Sequence, residues 1–287
     1  MNKLPIIANI RGALYYTYAN VGLIAKVSAA WIGLYALYTL VFSLLGIAEY
    51  LELTDAVAFV TESPSDARAR GYERLDVLLP KLAAITAELG PLIQVHDIFD
   101  KLIRLVAYGS VAVGMHRSFM LDEELPRISF EGREFKYIIH MIIYMAILGG
   151  LALALVSLVV SIGIVGAMQG IFYVFIGLAL LFLAARFLMV FPAIAVGNPA
   201  INPLKSWSLT EGNGLGLFWG LLLVILSSLP VAIFKVTVAK IALPLVIIWP
   251  VQVLLSMIIL TFILVFLSIC YQNLTSPQEN ETIGPLY

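Results

Sequence analysis

Charge is scarce in this chain. Of its 287 residues only 12% are Asp, Glu, Lys or Arg, about half the share of an ordinary soluble domain. The net charge of −1 leaves no basic stripe for phosphates, so no nucleic-acid partner is expected. Cys270 is the only cysteine. No intrachain disulfide can form, and its place inside the last apolar run reads as core packing. The three histidines lie on three separate segments and supply no H-E-x-x-H or comparable ligand set. A metal site on His96 and Asp100 lacks a second histidine within helical reach. There is no G-x-S-x-G elbow and no glycine loop ending in Lys-Ser/Thr. No catalytic group, cofactor or metal is therefore expected, and the protein reads as a non-enzyme. A cleavable leader is not expected either. The opening MNKLPIIANIRGALYY lacks an apolar core ending in a small-residue cleavage site.

What the chain has instead is apolar length, with 61% hydrophobic residues. Residues 1–26 read as an N-terminal interfacial segment, interrupted by Lys3, Arg11 and Lys26 and anchored by Tyr15, Tyr16 and Tyr18. Residues 27–48 are 22 positions without a charge, enough for one span. Residues 49–94 carry eight acids against four bases and read as an extramembrane helical loop. The second span is placed at 92–115, followed by a polar surface loop at 116–136. The next 49 residues, 137–185, contain no Asp, Glu, Lys or Arg. As one helix they would be about 73 Å long, against a hydrocarbon core of about 30 Å. They must be two spans, folded near the glycines of 161–170. Residues 215–234 and 245–271 give the last two spans, kinked or bounded by Pro230, Pro244 and Pro250, and 272–287 is a polar tail. The expected fold is all-α, a polytopic membrane protein with about six transmembrane helices over 27–271. The Lys and Arg distribution favours both termini in the cytoplasm.

Two stretches break the apolar pattern. The first is 186–216, RFLMVFPAIAVGNPAINPLKSWSLTEGNGLG, which holds the only arginine in the second half of the chain. Pro192 and Pro199 should stop the preceding helix. Asn202 followed by Pro203 is a helix start, and Gly212 with Asn213 should close it. The helix between, 203–211, is too short to stand alone in water, and Trp207 points to the membrane interface. The second stretch is the start of span two. Asp97 with Lys101, and Asp100 with Arg104, form i, i+4 pairs in the favourable order. At bilayer depth such residues mark a polar path. The favoured reading keeps them interfacial or extramembrane, with only 102–115 in hydrocarbon.

The motifs RFLMVFPAIAVG and SWSLTEGNGLGLF resemble an uncharacterised six-helix bacterial family, alphaproteobacterial in type, related to the membrane domain of glycerophosphoryl diester phosphodiesterases. The pattern falls on Arg186, Pro192, Trp207, Leu209, Thr210, Gly212 and Asn213. A second match, VAVGMHRSFMLDEELPRISFEGREFKYI, is similar to the family's loop between helices two and three and includes His116 and Arg117. The resemblance implies a membrane domain without the separate soluble domain in which the phosphodiesterases keep their catalysis. Where the relatives carry basic residues, this chain has Ser208 and Glu211.

Arg186 has two readings. It either snorkels to headgroups, or it serves as a buried partner for an acid or a phosphate contact. Glu211, an acid at a helix C-terminus, opposes the dipole. It is expected to pair with Arg186, or failing that with Arg117. Two functions follow. The chain either scaffolds or assists another inner-membrane system, or moves a solute or lipid along a path using the helix-two charges and Arg186. Its expected partners are the lipid bilayer and either another membrane protein or a second copy, the ring or dimer interface of the latter falling on the small residues Gly149, Gly150 and Ala154.

Overall fold

The computed structural model describes residues 3–62, 75–124, 130–240 and 245–276. Among these residues there are ten helices and no strand. In chain order they are α1 (Ile6–Ala19), α2 (Val21–Leu44), α3 (Ile47–Glu62), α4 (Leu75–Leu121), α5 (Gly132–Ser161), α6 (Ala167–Phe187), α7 (Val190–Ala195), α8 (Pro203–Leu209), α9 (Gly214–Lys240) and α10 (Leu245–Thr275). Among the described residues five stretches are long and apolar enough to cross a membrane: Val21–Leu44, Gly132–Ser161, Ala167–Ala195, Gly214–Val238 and Val251–Thr275. This is the build of a multi-pass all-α membrane protein. The expected second span lies within α4, which runs unbroken for 47 residues through Pro80 and Pro91. The charges at Asp97, Asp100, Lys101 and Arg104 separate it in composition from the other five.

The chain divides into two units, Met1–Ala29 with Tyr108–Tyr287, and Ala30–Ala107. In the first, α10 is the central element. It packs against both α9 and α1, while α6 packs on α9 and α5 on α6. Half of the apolar stretch of α10 is buried, against 6% for α5. Val224, Val265, Phe266, Met189, Ala193 and Ala13 are fully enclosed. The expected interfacial segment thus contains a helix, α1, whose Asn9, Ala13 and Thr17 face the bundle at four-residue spacing. Lys26, expected to precede the first span, lies inside α2.

The reversal expected near 161–170 is present. Gly163 and Gly166 take left-handed φ values of 74° and 66°, which a Cβ would penalise. The helix after it ends five residues before Pro192, earlier than that proline predicts. α6 ends at Phe187, and Pro192 sits inside the short α7. In the second unit α2 turns into α3 through Gly46, and α4 carries the charged residues of interest. The residues expected to form the loop helix start, 66–74, and the tail from 277 onward lie outside the described residues.

Candidate functional site

The first site is assembled around Arg186, in the last turn of α6. Asn202 caps α8 as expected, its Oδ1 accepting from Lys205 N at 2.9 Å, with proline at the first helical position. Ser206 and Thr210 are four residues apart and therefore share a face, and both are fully buried. That face meets Arg186 twice. Ser206 Oγ donates to the Arg186 carbonyl at 2.8 Å, and Arg186 Nε donates to Thr210 Oγ1 at 2.7 Å. Nη2 donates to the Trp207 carbonyl at 2.7 Å, and the guanidinium carbon lies 4.1 Å from the Trp207 ring centroid. The next helix comes close to the same side chain. A Cβ added at Gly214 would lie 2.7 Å from Arg186 Cδ and 2.8 Å from Nη1.

This geometry replaces the expected Arg186–Glu211 pair. Glu211 is exposed, and among the described residues no ion pair joins it to Arg186 or to Arg117. The physical reason is the dipole that motivated the expectation. The last carbonyls of α8 do attract a cation, and Arg186 supplies it directly by bonding the Trp207 carbonyl. Glu211 lies two residues past the last helical position and needs no counter-ion there. Closure of α8 also differs in detail. Gly212 is left-handed at φ 74° and Asn213 is not. Asn213 instead turns inward, its Oδ1 accepting from Leu4 N at 2.9 Å. Trp207 is 38% exposed and packs on Phe187 at a tilt of 42°, with ring centroids 5.3 Å apart.

His116 and Arg117 are adjacent on α4 and do different things. His116 is fully buried. Its Nδ1 lies 2.7 Å from Ser268 Oγ, and Ser268 donates its own proton to Leu264 O at 2.9 Å. The imidazole must therefore donate from Nδ1, which leaves Nε2 to accept from the Tyr137 hydroxyl at 3.5 Å. His116 fastens α4 to α10 and α5 as a neutral ring. Arg117 forms a two-pronged pair with Glu123, with Nε to Oε2 at 2.7 Å, and donates from Nη1 to the Ala195 carbonyl at 3.1 Å. Glu123 and Glu124 line two cavities. One, of about 220 Å³, also holds Arg117, Arg133, Glu131 and Glu134. The other, of about 510 Å³, adds Tyr16, Asn20, Lys26, Phe119 and Asp122. Among the described residues no three His, Cys, Asp or Glu side chains converge in a metal-binding group.

The second unit holds the helix-two charges. Asp100 and Arg104 pair as expected, Nη2 to Oδ1 at 3.0 Å with Nε also 3.0 Å from Oδ1. The other expected pair does not form: Asp97 and Lys101 are both exposed, and among the described residues no ion pair joins them. Asp100 also accepts from the Tyr35 hydroxyl of α2, to which Arg104 Nη2 donates at 2.9 Å. One turn along, the Tyr38 hydroxyl lies 2.5 Å from His96 Nδ1 and 2.8 Å from its carbonyl, with the two rings stacked at 5.5 Å. Only one flank of the charged stripe therefore faces α2, and Asp97 and Lys101 lie outside it.

Sequence reasoning missed Tyr35 and Tyr38. Their spacing with Phe42, at i, i+3 and i+7 inside an apolar span, was the available signal. It also missed Ser206, Gly214, Ser268 and Tyr137, small or apolar-flanked residues whose roles depend on what another helix brings. The same holds for Asn9, which donates to Cys270 Sγ at 3.5 Å and accepts from Asn273 at 3.0 Å. No family model, curated protein or solved structure matches the chain.

Proposed function

We propose that this chain is a non-catalytic integral protein of a bacterial inner membrane that scaffolds or assists another membrane system. In this reading six spans cross the bilayer with both termini cytoplasmic, and α4 supplies the second span over 92–115. The carrying observation is how polar groups within the apolar bundle are used. Arg186, His116, Ser268, Asn9 and Asn273 each bond to another segment of the same bundle. Polar groups committed in this way hold helices together rather than line a path. The Lys and Arg distribution supports the orientation. The resemblance of 186–218 and 111–138 to relatives of phosphodiesterase membrane domains supports the bacterial family. α5 is the surface offered to a partner, either another membrane protein or a second copy, since Gly149, Gly150 and Ala154 are exposed on it.

The test has two parts. Single cysteines at Glu62 and Ser276 should label from opposite sides of the membrane, and labelling from one side would remove the six-span topology. Purification in mild detergent should retain a polypeptide, or a second copy, at a fixed ratio that Gly150→Leu lowers. Solute flux through proteoliposomes of the pure chain would overturn the scaffold reading.

A second reading, transport of a solute or lipid, draws on one observation. The Asp100–Arg104–Tyr35 cluster lies against a helix apolar enough to cross the membrane, and ionisable residues there are costly unless used. Loss of function in Asp100→Asn with normal accumulation would favour it.

A further inference from the structure

We propose that Arg186 is the anchoring cation of a phosphate site at the membrane boundary, occupied by the phosphodiester of an anionic phospholipid headgroup. The proposal does not depend on the scaffold reading. It starts from charge. Arg186 ends an apolar helix, and both of its hydrogen-bond partners are neutral, Thr210 Oγ1 and the Trp207 carbonyl. Among the described residues it forms no ion pair, and Glu211 bonds to none of these groups. A guanidinium carries five N–H donors, and only two are used. The remaining three are the two on Nη1 and one on Nη2, and one hydrogen from each of these nitrogens makes a fork of the kind that takes phosphate oxygens in parallel.

The guanidinium is also held in place. Its two hydrogen bonds, the Trp207 ring at 4.1 Å and the backbone of Gly214 fix its plane before any ligand arrives. Preorganisation of this kind lowers the ordering cost of binding.

Depth decides what the anion is. Arg186 lies against Gly214, at the first position of α9. Lys235, on the same helix, is 21 residues further on, about 32 Å at 1.5 Å per residue. That equals the roughly 30 Å of a hydrocarbon core. Lys235 is likewise held by a neutral group, donating to Ser256 Oγ at 2.7 Å. Two cations on one helix thus stand about one hydrocarbon thickness apart, the spacing of the two boundary regions next to which headgroups lie. Beside Arg186 the short helix α8 exposes Leu204 at 82% and Trp207 at 38%. An apolar side chain and a half-exposed indole next to a cation suit a ligand with acyl chains below its phosphate.

The wild-type chain permits a direct test, because Arg186 is the only arginine after Arg133. In maltoside micelles, phenylglyoxal modification of Arg186 can be followed by peptide mass spectrometry. Phosphatidylglycerol should slow it at least tenfold, while a diacyl glycolipid without phosphate and inorganic phosphate at the same concentration should not. No protection, or equal protection by the glycolipid, would overturn the site. Equal protection by inorganic phosphate would overturn the lipid as its occupant. Native mass spectrometry supplies the second arm. Wild type should retain phosphatidylglycerol, and folded Arg186→Gln should lose at least tenfold of that retention. Unchanged retention in a folded variant would refute the assignment. If Arg186→Gln does not fold, the wild-type protection alone decides.

Discussion

Adding one methyl group at Gly214 should separate the held arginine from an arginine that merely points at water. In Gly214→Ala the new Cβ would lie 2.7 Å from Arg186 Cδ and 2.8 Å from Nη1. Cδ is in the middle of the side chain, so the guanidinium cannot step aside without losing its fit to Thr210 and Trp207. Overpacking of this kind costs about 1–3 kcal/mol, and each displaced bond from a charged donor adds to it. Replacing glycine in a helix interior by alanine returns at most about 1 kcal/mol, and less at a first helical position. The net expectation is a loss of about 1–2 kcal/mol. Gly216, two residues on in the same helix, is the internal control. Its added Cβ would meet Ile6 Cγ1 at 3.5 Å, an ordinary contact, so Gly216→Ala should gain about 0.5–1 kcal/mol. Unfolding of the two variants by SDS in mixed micelles measures the difference. A Gly214→Ala protein at least as stable as Gly216→Ala would show that Arg186 does not occupy this position.

Thr210→Val removes the Nε acceptor at constant shape and should cost about 1–3 kcal/mol in the same assay, whereas Thr210→Ser should cost much less. In the second unit, Tyr35→Phe and Asp100→Asn should each cost about 1 kcal/mol or less, because Arg104 is 53% exposed and such pairs are screened. A double-mutant cycle should nonetheless return a coupling above about 0.5 kcal/mol, and strict additivity would dissolve the cluster. His116→Leu should cost about 1–3 kcal/mol by stranding the buried Tyr137 hydroxyl. Adding Tyr137→Phe should recover part of that loss, and a further loss would reject the bond.

The parts of the fold legible in the sequence are those set by composition over a window. An uncharged run too long for one span has to reverse, and glycines that tolerate positive φ mark where, so Gly163 and Gly166 were within reach. The start of α8 was legible for the same local reason, since Asn202 and Pro203 carry the cap between them. The start of the first span was not. Lys26 looks like a boundary residue by charge, but a lysine can sit inside a helix if its stem lies along apolar surface and its amine reaches water. Composition cannot tell this from an end. The segment before it was legible as amphipathic. That its polar Asn9 faces protein rather than headgroups depends on α10 presenting Cys270 and Asn273, some 260 positions away.

The same limit explains why the charges were paired incorrectly around Arg186 and only half correctly on α4. Sequence spacing ranks carboxylates as partners for arginine because they carry the opposite charge. The structure uses a carbonyl, a hydroxyl and an indole face instead. Near an apolar bundle this choice is physically sound. A buried carboxylate would bring its own desolvation cost, while the last carbonyls of a helix are already present and already need donors. An arginine answered in this way keeps its full charge and most of its donors for something outside the chain. On α4 the outcome is the opposite, since Arg104 meets Asp100 and the pair closes on Tyr35. The two arginines thus separate by what answers them. One is neutralised within the protein, and the other, at the end of α6, carries a charge that no ion pair among the described residues answers.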